Sequence, residues 1–339
     1  MYNISLITGD GIGPEISQSA ISILETIHDK LGLKFSIEKL QAGDLALEKT
    51  GNALPEQTLD SIKRSDACLK APVGESAADV IVVLRRILDL YANIRPAKSY
   101  PNMPALRDDI DLVIVRENTE DLYTGEEFDI DENTSIALRR ISKKASERIA
   151  KYACVMAEQR NQKKKVTCVH KSNVMKKTDG LFSKSCENEF KNHPEIKFEQ
   201  MYVDACAMNL IRQPQTFDVI VTTNLFGDIL SDEAAQVVGG LGMAPAANIG
   251  NDFGLFEPVH GAAFDIAGKQ IANPTSFILS IKMMLEWLGM KNNDQKCKQI
   301  SQKLESTIYD VVKSGIKTRD IGGDKTTVEF TNEILSKLE

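Results

Sequence analysis

Short apolar runs alternate along the chain with longer stretches whose apolar positions recur every three or four residues. Ile4-Ser5-Leu6-Ile7 predicts a first strand, followed by a glycine-rich turn. A helix then opens at Pro14, since proline is tolerated in the first helical turn. Ile16, Ala20, Ile23, Leu24, Ile27 and Leu31 give that helix one apolar face. Phe35, Ile37 and Leu40 predict a second strand, and the runs 66–69, 111–115, 166–169, 199–203 and 218–222 predict five more. Helical periodicity recurs at about 77–88, 144–158, 228–237 and 274–288. This alternation, without internal repeats, predicts an α/β protein with a largely parallel sheet covered by helices on both faces. Two segments break the rhythm. Residues 96–104 carry three prolines, and 245–258 carry two prolines and two glycines. If both are crossings between lobes, the middle of the chain is one domain and its two ends combine into another.

Composition narrows the class. The 339 residues include 42% apolar and 26% charged side chains with no biased tract, which fits an ordinary globular protein of about two domains. With 41 basic and 48 acidic residues the formal charge is −7, which argues against a nucleic-acid-binding face. The six cysteines form no CxxC, so reduced, mostly buried thiols are expected rather than a zinc site or a disulfide framework. No signal-like N-terminus and no apolar run of about 20 residues is present, so a cytoplasmic protein is expected.

Four groups of residues could carry chemistry. Gly9-Asp10-Gly11-Ile12-Gly13-Pro14-Glu15 lies between a strand and a helix, where backbone N–H groups can meet a phosphate. It is not the GxGxxG fingerprint, and a tight structural turn is the plainer reading. Asp228 and Asp232 are four apart and share a helix face, where their mutual repulsion would be relieved by a hard divalent cation. Asp204, at the end of a predicted strand, could be a third ligand; a solvated face with a capping aspartate is the alternative. Arg85, Arg95 and Arg116 could converge on a di- or tricarboxylate, or could be held by Asp89, Glu117 or Glu120. Lys171, after a strand ending at His170, and Tyr123 are available for proton transfer, although a surface lysine is the default.

Together these segments resemble the β-decarboxylating dehydrogenases, the family of isopropylmalate, isocitrate and homoisocitrate dehydrogenases. The resemblance rests on GDGIGPE (9–15), LRRILDLYANIRP (84–96), VRENTEDLYTG (115–125), HKSNVMKKTDGLF (170–182), YVDACAMNL (202–210), NLFGDILSDEAA (224–235) and EPVHGAAFDIAGKQIANP (257–274). It implies a two-lobed isopropylmalate dehydrogenase-like α/β fold with a mixed sheet flanked by helices. The lobes would be a cofactor-bearing domain of residues 1–97 plus 242–339 and a dimerising domain of residues 98–241. It also implies that Arg85, Arg95 and Arg116 hold malate carboxylates and that Asp204, Asp228 and Asp232 hold Mg²⁺ or Mn²⁺. Lys171 would help remove the hydroxyl proton, and Tyr123 would protonate the enol. Lys171 and Asp204 would reach the neighbouring subunit's site, in a homodimer or a dimer of dimers.

The same resemblance places Gly74, His260, Gly261, Asp265 and Asn273 at the cofactor. NADP-using relatives carry Lys-Tyr where this chain has Asp265-Ile266, and a carboxylate accepts hydrogen bonds from both ribose hydroxyls, so NAD is expected. The substrate's C3 group should lie against the segment before Arg85. There Ile81 and Val82 are apolar and Asp79 would repel a third carboxylate, which favours isopropylmalate over isocitrate or homoisocitrate. Ala78 departs from the glutamate common in isopropylmalate enzymes, while GESAADV looks most like the archaeal-type branch. A non-catalytic regulatory subunit is the competing class, but such chains typically lose a metal aspartate, the lysine or the tyrosine. A phosphate-loop hydrolase is excluded by the lack of GxxxxGK[ST].

Overall fold

Apolar runs too short for helices must find partners for their backbone groups, and here ten of the strands do so in one mixed sheet. The structure is a computed structural model that describes residues 1–77 and 79–338, so the Ala78 comparison lies outside the described residues. The strands are β1 (Tyr2–Ile7), β2 (Phe35–Leu40), β3 (Ala67–Lys70), β4 (Ala92–Lys98), β5 (Asp111–Glu117), β6 (Glu127–Asp131), β7 (Thr134–Ala137), β8 (Lys165–His170), β9 (Lys197–Tyr202), β10 (Val219–Thr222), β11 (Pro245–Ile249) and β12 (Gly254–Pro258). The helices are α1 (Gly13–Asp29), α2 (Asp44–Thr50), α3 (Glu56–Arg64), α4 (Asp79–Ile87), α5 (Lys143–Arg160), α6 (Thr178–Phe190), α7 (Val203–Arg212), α8 (Asn224–Val237), α9 (Thr275–Lys291), α10 (Gln295–Lys313) and α11 (Thr327–Leu338).

The spatial order is β2-β1-β3-β12-β11-β4-β5-β10-β8-β9. Each outer wing is parallel, as the alternation predicts. The centre differs from the largely parallel expectation: β12, β11, β4 and β5 pair antiparallel. Both proline-rich segments, read as connections between lobes, supply strands of this centre. Pro96 is tolerated in β4 because β11 pairs only with Ala92–Ile94 and stops short of it. Pro245 and Pro258 face each other at the ends of the β11–β12 hairpin. Two further boundaries move. The 199–203 run ends as a strand at Tyr202, and the helix expected from 228 begins at Asn224.

Alternation along the strands sorts side chains between two differently filled faces. On one face a continuous core packs Ile4, Leu69, Ile94, Val115, Ala247 and Phe256 against α1, α5, α9, α10 and α11. The other face holds two separate cores, one under α7 and α8 and the other under α3 and α4. Between them β3, β4, β5, β11 and β12 present Lys70, Asn93, Arg95, Arg116, Asn248 and Glu257, none of which belongs to a core. All six cysteines are free and buried. No helix among the described residues is long and apolar enough to cross a membrane.

Candidate active site

The polar gap between the two smaller cores collects the arginines and two of the three aspartates. Arg95 Nη2 lies 3.3 Å from Asp228 and its Nη1 lies 3.1 Å from Asp232, with a 2.8 Å bond to Ser231 Oγ. Arg116 is 1% exposed; its Nη1 pairs with Asp228 and its Nε donates to Asn224 Oδ1 at 2.9 Å. Its Nη2 is buried with no partner. A side chain at Gly227 would collide with the Arg116 stem, so the residue before Asp228 has to be glycine for the two elements to meet. Tyr123, on the turn after β5, donates to Asp228 Oδ2 at 2.5 Å, and Arg116 lies 4.9 Å from its ring centroid. Asp228 and Asp232 therefore share a helix face, as their spacing predicts. The ion-pair partners anticipated for the arginines are engaged elsewhere: Asp89 binds Arg148, and Glu117 accepts from the Thr119 and Glu120 backbone N–H groups.

Burial and charge tune these groups in opposite directions. Burial pushes Arg116 down to about 9, with Arg95 and Arg85 adding to the effect, yet the group stays charged at neutral pH. Burial also pushes Asp228 up, but Arg116 and Arg95 outweigh it and hold the carboxyl below its ordinary range. Asp232 ends above its ordinary value, because burial there exceeds what Arg95 returns. Burial and the bond to Asp228 raise Tyr123, so its phenol keeps its proton.

Arg85 approaches from α4 and is held from behind. Its Nε donates to Asn248 Oδ1 at 2.9 Å and its Nη2 lies 3.6 Å from Glu257, which also binds Lys70 at 2.9 Å. Val82, one turn before Arg85, is half-buried and belongs to none of the three cores, whereas Ile81 packs against the core under α4.

Lys171 and Asp204 form a second cluster. Lys171 Nζ pairs with Asp204, which stands in the first turn of α7 rather than at a strand end, and that bond holds its carboxyl below the ordinary range. Among the described residues the Asp204 carboxylate does not converge with those of Asp228 and Asp232. Both clusters hang on Arg139, which the sequence reading passed over. It bonds Asp121 through Nε at 2.6 Å and pairs with Asp179, both fully buried, and donates to Thr223 Oγ1 at 2.8 Å. Asp121 in turn accepts from Leu225 N at the start of α8, and Asp179 accepts from Lys171 N. The signal was present, since Asp121 and Asp179 lie inside the two quoted motifs that carry Tyr123 and Lys171.

The glycine-rich turn is braced by bonds to neighbouring segments. Asp10 accepts from Asp44 N at 2.7 Å and from Gly74 N at 2.9 Å, and Ile12 N donates to Ala262 O at 2.8 Å. A Cβ at Gly74 would collide with the Asp44 carboxylate. The 259–274 loop after β12 is thereby pinned on one side, and Asn273 N bonds Asp320 at 2.8 Å on the other. Along this loop Gly261 faces open space, and Asp265 is exposed with no partner among the described residues. Asn273 is buried and its side chain is committed to Thr275 at the start of α9.

A two-winged mixed sheet with arginines, paired carboxylates and a tyrosine in its central gap suits a protein that takes an anionic carboxylate ligand. The family model described as isocitrate/isopropylmalate dehydrogenase matches residues 3–334. The chain is 52% identical over 338 residues to the 3-isopropylmalate dehydrogenase of Sulfurisphaera tokodaii, covering 99% of both chains. It is 50% identical to the 3-isopropylmalate/3-methylmalate dehydrogenase of Methanocaldococcus jannaschii, covering 100% of this chain and 99% of that one. Among solved structures, the isocitrate dehydrogenase of Methylococcus capsulatus superposes with a TM-score of 0.92 at 42% identity, covering 100% of this chain and 99% of that one. The chain belongs to the isocitrate/isopropylmalate dehydrogenase family.

Proposed function

We propose that the protein oxidises and decarboxylates 3-isopropylmalate to 2-oxoisocaproate, a step of leucine biosynthesis, using NAD and Mg²⁺ or Mn²⁺. The observation that carries this reading is the approach of Arg95 and Arg116 to Asp228 and Asp232, with Arg85 behind them, in one polar gap. Arg85, Arg95 and Arg116 bind the two malate carboxylates, and Val82 offers an apolar surface to the isopropyl group. The donor set suits a hard cation, because Asp228 and Asp232 supply anionic oxygens from one helix face and Asp228 is held ionised. Asp204 of a second copy completes that set, since the chain's own Asp204 stands apart. When bound, the metal supplies Lewis acidity at the C1 carboxylate and C2 hydroxyl, and the dinucleotide supplies the hydride acceptor.

The chain's own groups move the protons. Lys171 of the second copy takes part in removing the C2 hydroxyl proton. After CO₂ leaves, Tyr123 protonates C3 of the enol; its raised pKa keeps that proton in place until then. The open carboxylate of Asp265 receives the adenosine ribose hydroxyls, while Gly74, His260, Gly261 and Asn273 shape the loop around the dinucleotide. Residues 1–97 with 242–339 form the cofactor-bearing domain and 98–241 the dimerising one. Exposed Met208 and Ile211 of α7, Ile229 of α8, and Phe128 and Ile130 of the β6–β7 hairpin supply an apolar surface for a homodimer or a dimer of dimers.

NADH formation by the full chain, with NAD, Mg²⁺ and each of isopropylmalate, isocitrate and homoisocitrate, tests this. The highest kcat/KM is expected with isopropylmalate, and chelation with EDTA should abolish turnover. Absence of turnover with all three would refute the catalytic reading; preference for a tricarboxylate would refute only the substrate assignment.

A further inference from the structure

Asn248 is 0% exposed in β11, at the centre of the sheet between β12 and β4. Its side-chain oxygen accepts three donors: Arg85 Nε at 2.9 Å, Asn93 Nδ2 at 2.6 Å and Asn118 Nδ2 at 3.0 Å. Its amide nitrogen donates to Glu257 Oε1 at 2.8 Å. A flipped amide would turn its NH₂ group toward three donors and its oxygen toward a carboxylate, so the network permits one orientation. The chain of bonds continues, because Asn93 Oδ1 accepts from Arg95 Nε at 2.8 Å. Two guanidiniums from different elements, α4 and β4, are thus tied to one buried oxygen, Arg85 directly and Arg95 through Asn93.

Other side chains would serve this place poorly. Alanine would leave Arg85 Nε and two amide donors without their common acceptor at a fully buried position. Aspartate would set a second carboxylate against Glu257 and neutralise part of the positive charge of Arg85. The partners also differ in origin, since Asn118 follows β5 while Glu257 lies on β12, so the amide joins strands on both sides of β11.

We propose that Asn248 is a positioning residue for the substrate: it sets the direction and separation of Arg85 and Arg95, and thereby the affinity for the substrate's carboxylates. This rests on the reading of those arginines as carboxylate ligands. In this role Asn248 acts through the two arginines and not on the reacting atoms.

The test compares Asn248→Ala, Asn248→Asp and Arg85→Lys in the full-length enzyme. It measures KM for isopropylmalate and for NAD, calorimetric binding of isopropylmalate with Mg²⁺ present, and thermal unfolding. Asn248→Ala should raise KM and Kd for isopropylmalate by roughly tenfold to a hundredfold, while KM for NAD stays within about twofold. Asn248→Asp should raise them further, because it adds opposing charge. A folded Asn248→Ala enzyme with unchanged isopropylmalate KM, or with both KM values rising in parallel, would overturn the proposal. If Asn248→Ala does not fold, Asn248→Ser decides on the same criteria. Arg85→Lys separates the two levels of the argument. If it raises the isopropylmalate KM while Asn248→Ala does not, only the positioning role fails; if it leaves that KM unchanged, the carboxylate reading fails and the proposal with it.

Discussion

Replacing Arg139 by methionine removes the cation that, among the described residues, pairs with two fully buried carboxylates, Asp121 and Asp179. Removing one partner of a buried ion pair costs about 3–5 kcal/mol, because the remaining charge is stranded in low dielectric. Two carboxylates are stranded here, but the cost does not double. Asp121 keeps Leu225 N at 3.1 Å and Asp179 keeps Lys171 N at 2.5 Å, so each retains a backbone donor. A total of about 3–5 kcal/mol is therefore expected, which at roughly 2 °C per kcal/mol lowers Tm by about 6–10 °C. Arg139→Lys should fall between, since lysine restores the charge without the planar fork that spans Asp121. Adding Asp179→Asn to Arg139→Met should recover part of the loss by removing one stranded charge. The assay is urea and thermal unfolding at neutral pH, with kcat measured at a temperature where every variant is folded. Because Arg139 also ties the Tyr123 turn to the Lys171 loop, kcat should fall even there. A loss below about 1 kcal/mol in Arg139→Met would refute the argument that this cation is what lets the two carboxylates be buried.

Exchange of Asp265→Lys together with Ile266→Tyr should shift the ratio of kcat/KM for NAD over NADP by roughly 100-fold or more toward NADP; an unchanged ratio would show that Asp265 does not face the ribose. Asp228 has a folded pKa below its unfolded value, so its contribution to stability is present above about pH 4 and is lost as pH falls through the folded value. Tm measured from pH 6 to 3 should accordingly fall less steeply below pH 4 in Asp228→Asn than in the parent, and parallel curves would contradict the sign. Val82→Arg should lower kcat/KM for isopropylmalate by about 10- to 200-fold while favouring substrates with a third carboxylate. Equal losses on all three substrates would place Val82 away from the C3 group.

The inner strands β1, β3, β8 and β10 were legible in the chain because they are short, mostly apolar runs that are largely buried, as parallel strands covered on both faces are. The centre was not. β4, β11 and β12 carry alanine, proline, asparagine and glutamate in a pattern that composition reads as a linker. Their alternation was present all the same: Ala92 and Ile94 face the large core, while Asn93 and Arg95 face the gap. A polar residue at every second position usually means solvent on that face. Here it means a buried site, and only the pairing partners could distinguish the two.

The arginines were weighed as ligands of an external anion or as members of internal ion pairs, and the structure shows why those alternatives are not exclusive. Buried guanidiniums must be neutralised, and here Arg95 and Arg116 rest on Asp228 and Asp232, and Arg85 on Asn248 and Glu257. Such pairing by itself says nothing against a binding role. The imbalance it leaves is what speaks for one. Lys70, Arg85, Arg95 and Arg116 bring four cations into the gap, against three carboxylates from Asp228, Asp232 and Glu257. Arg116 Nη2 remains buried without an acceptor, and Glu257 is drawn below the ordinary carboxyl range by Lys70 and Arg85 despite its burial. A chain of formal charge −7 thus keeps an unspent positive charge in the polar gap of its sheet. A stability role alone would have balanced the charges or replaced them with apolar side chains, which fill such positions at lower desolvation cost. An excess of cations around two carboxylates suits a site that takes up a carboxylate dianion and a divalent cation together, since each supplies the charge that the other leaves uncovered.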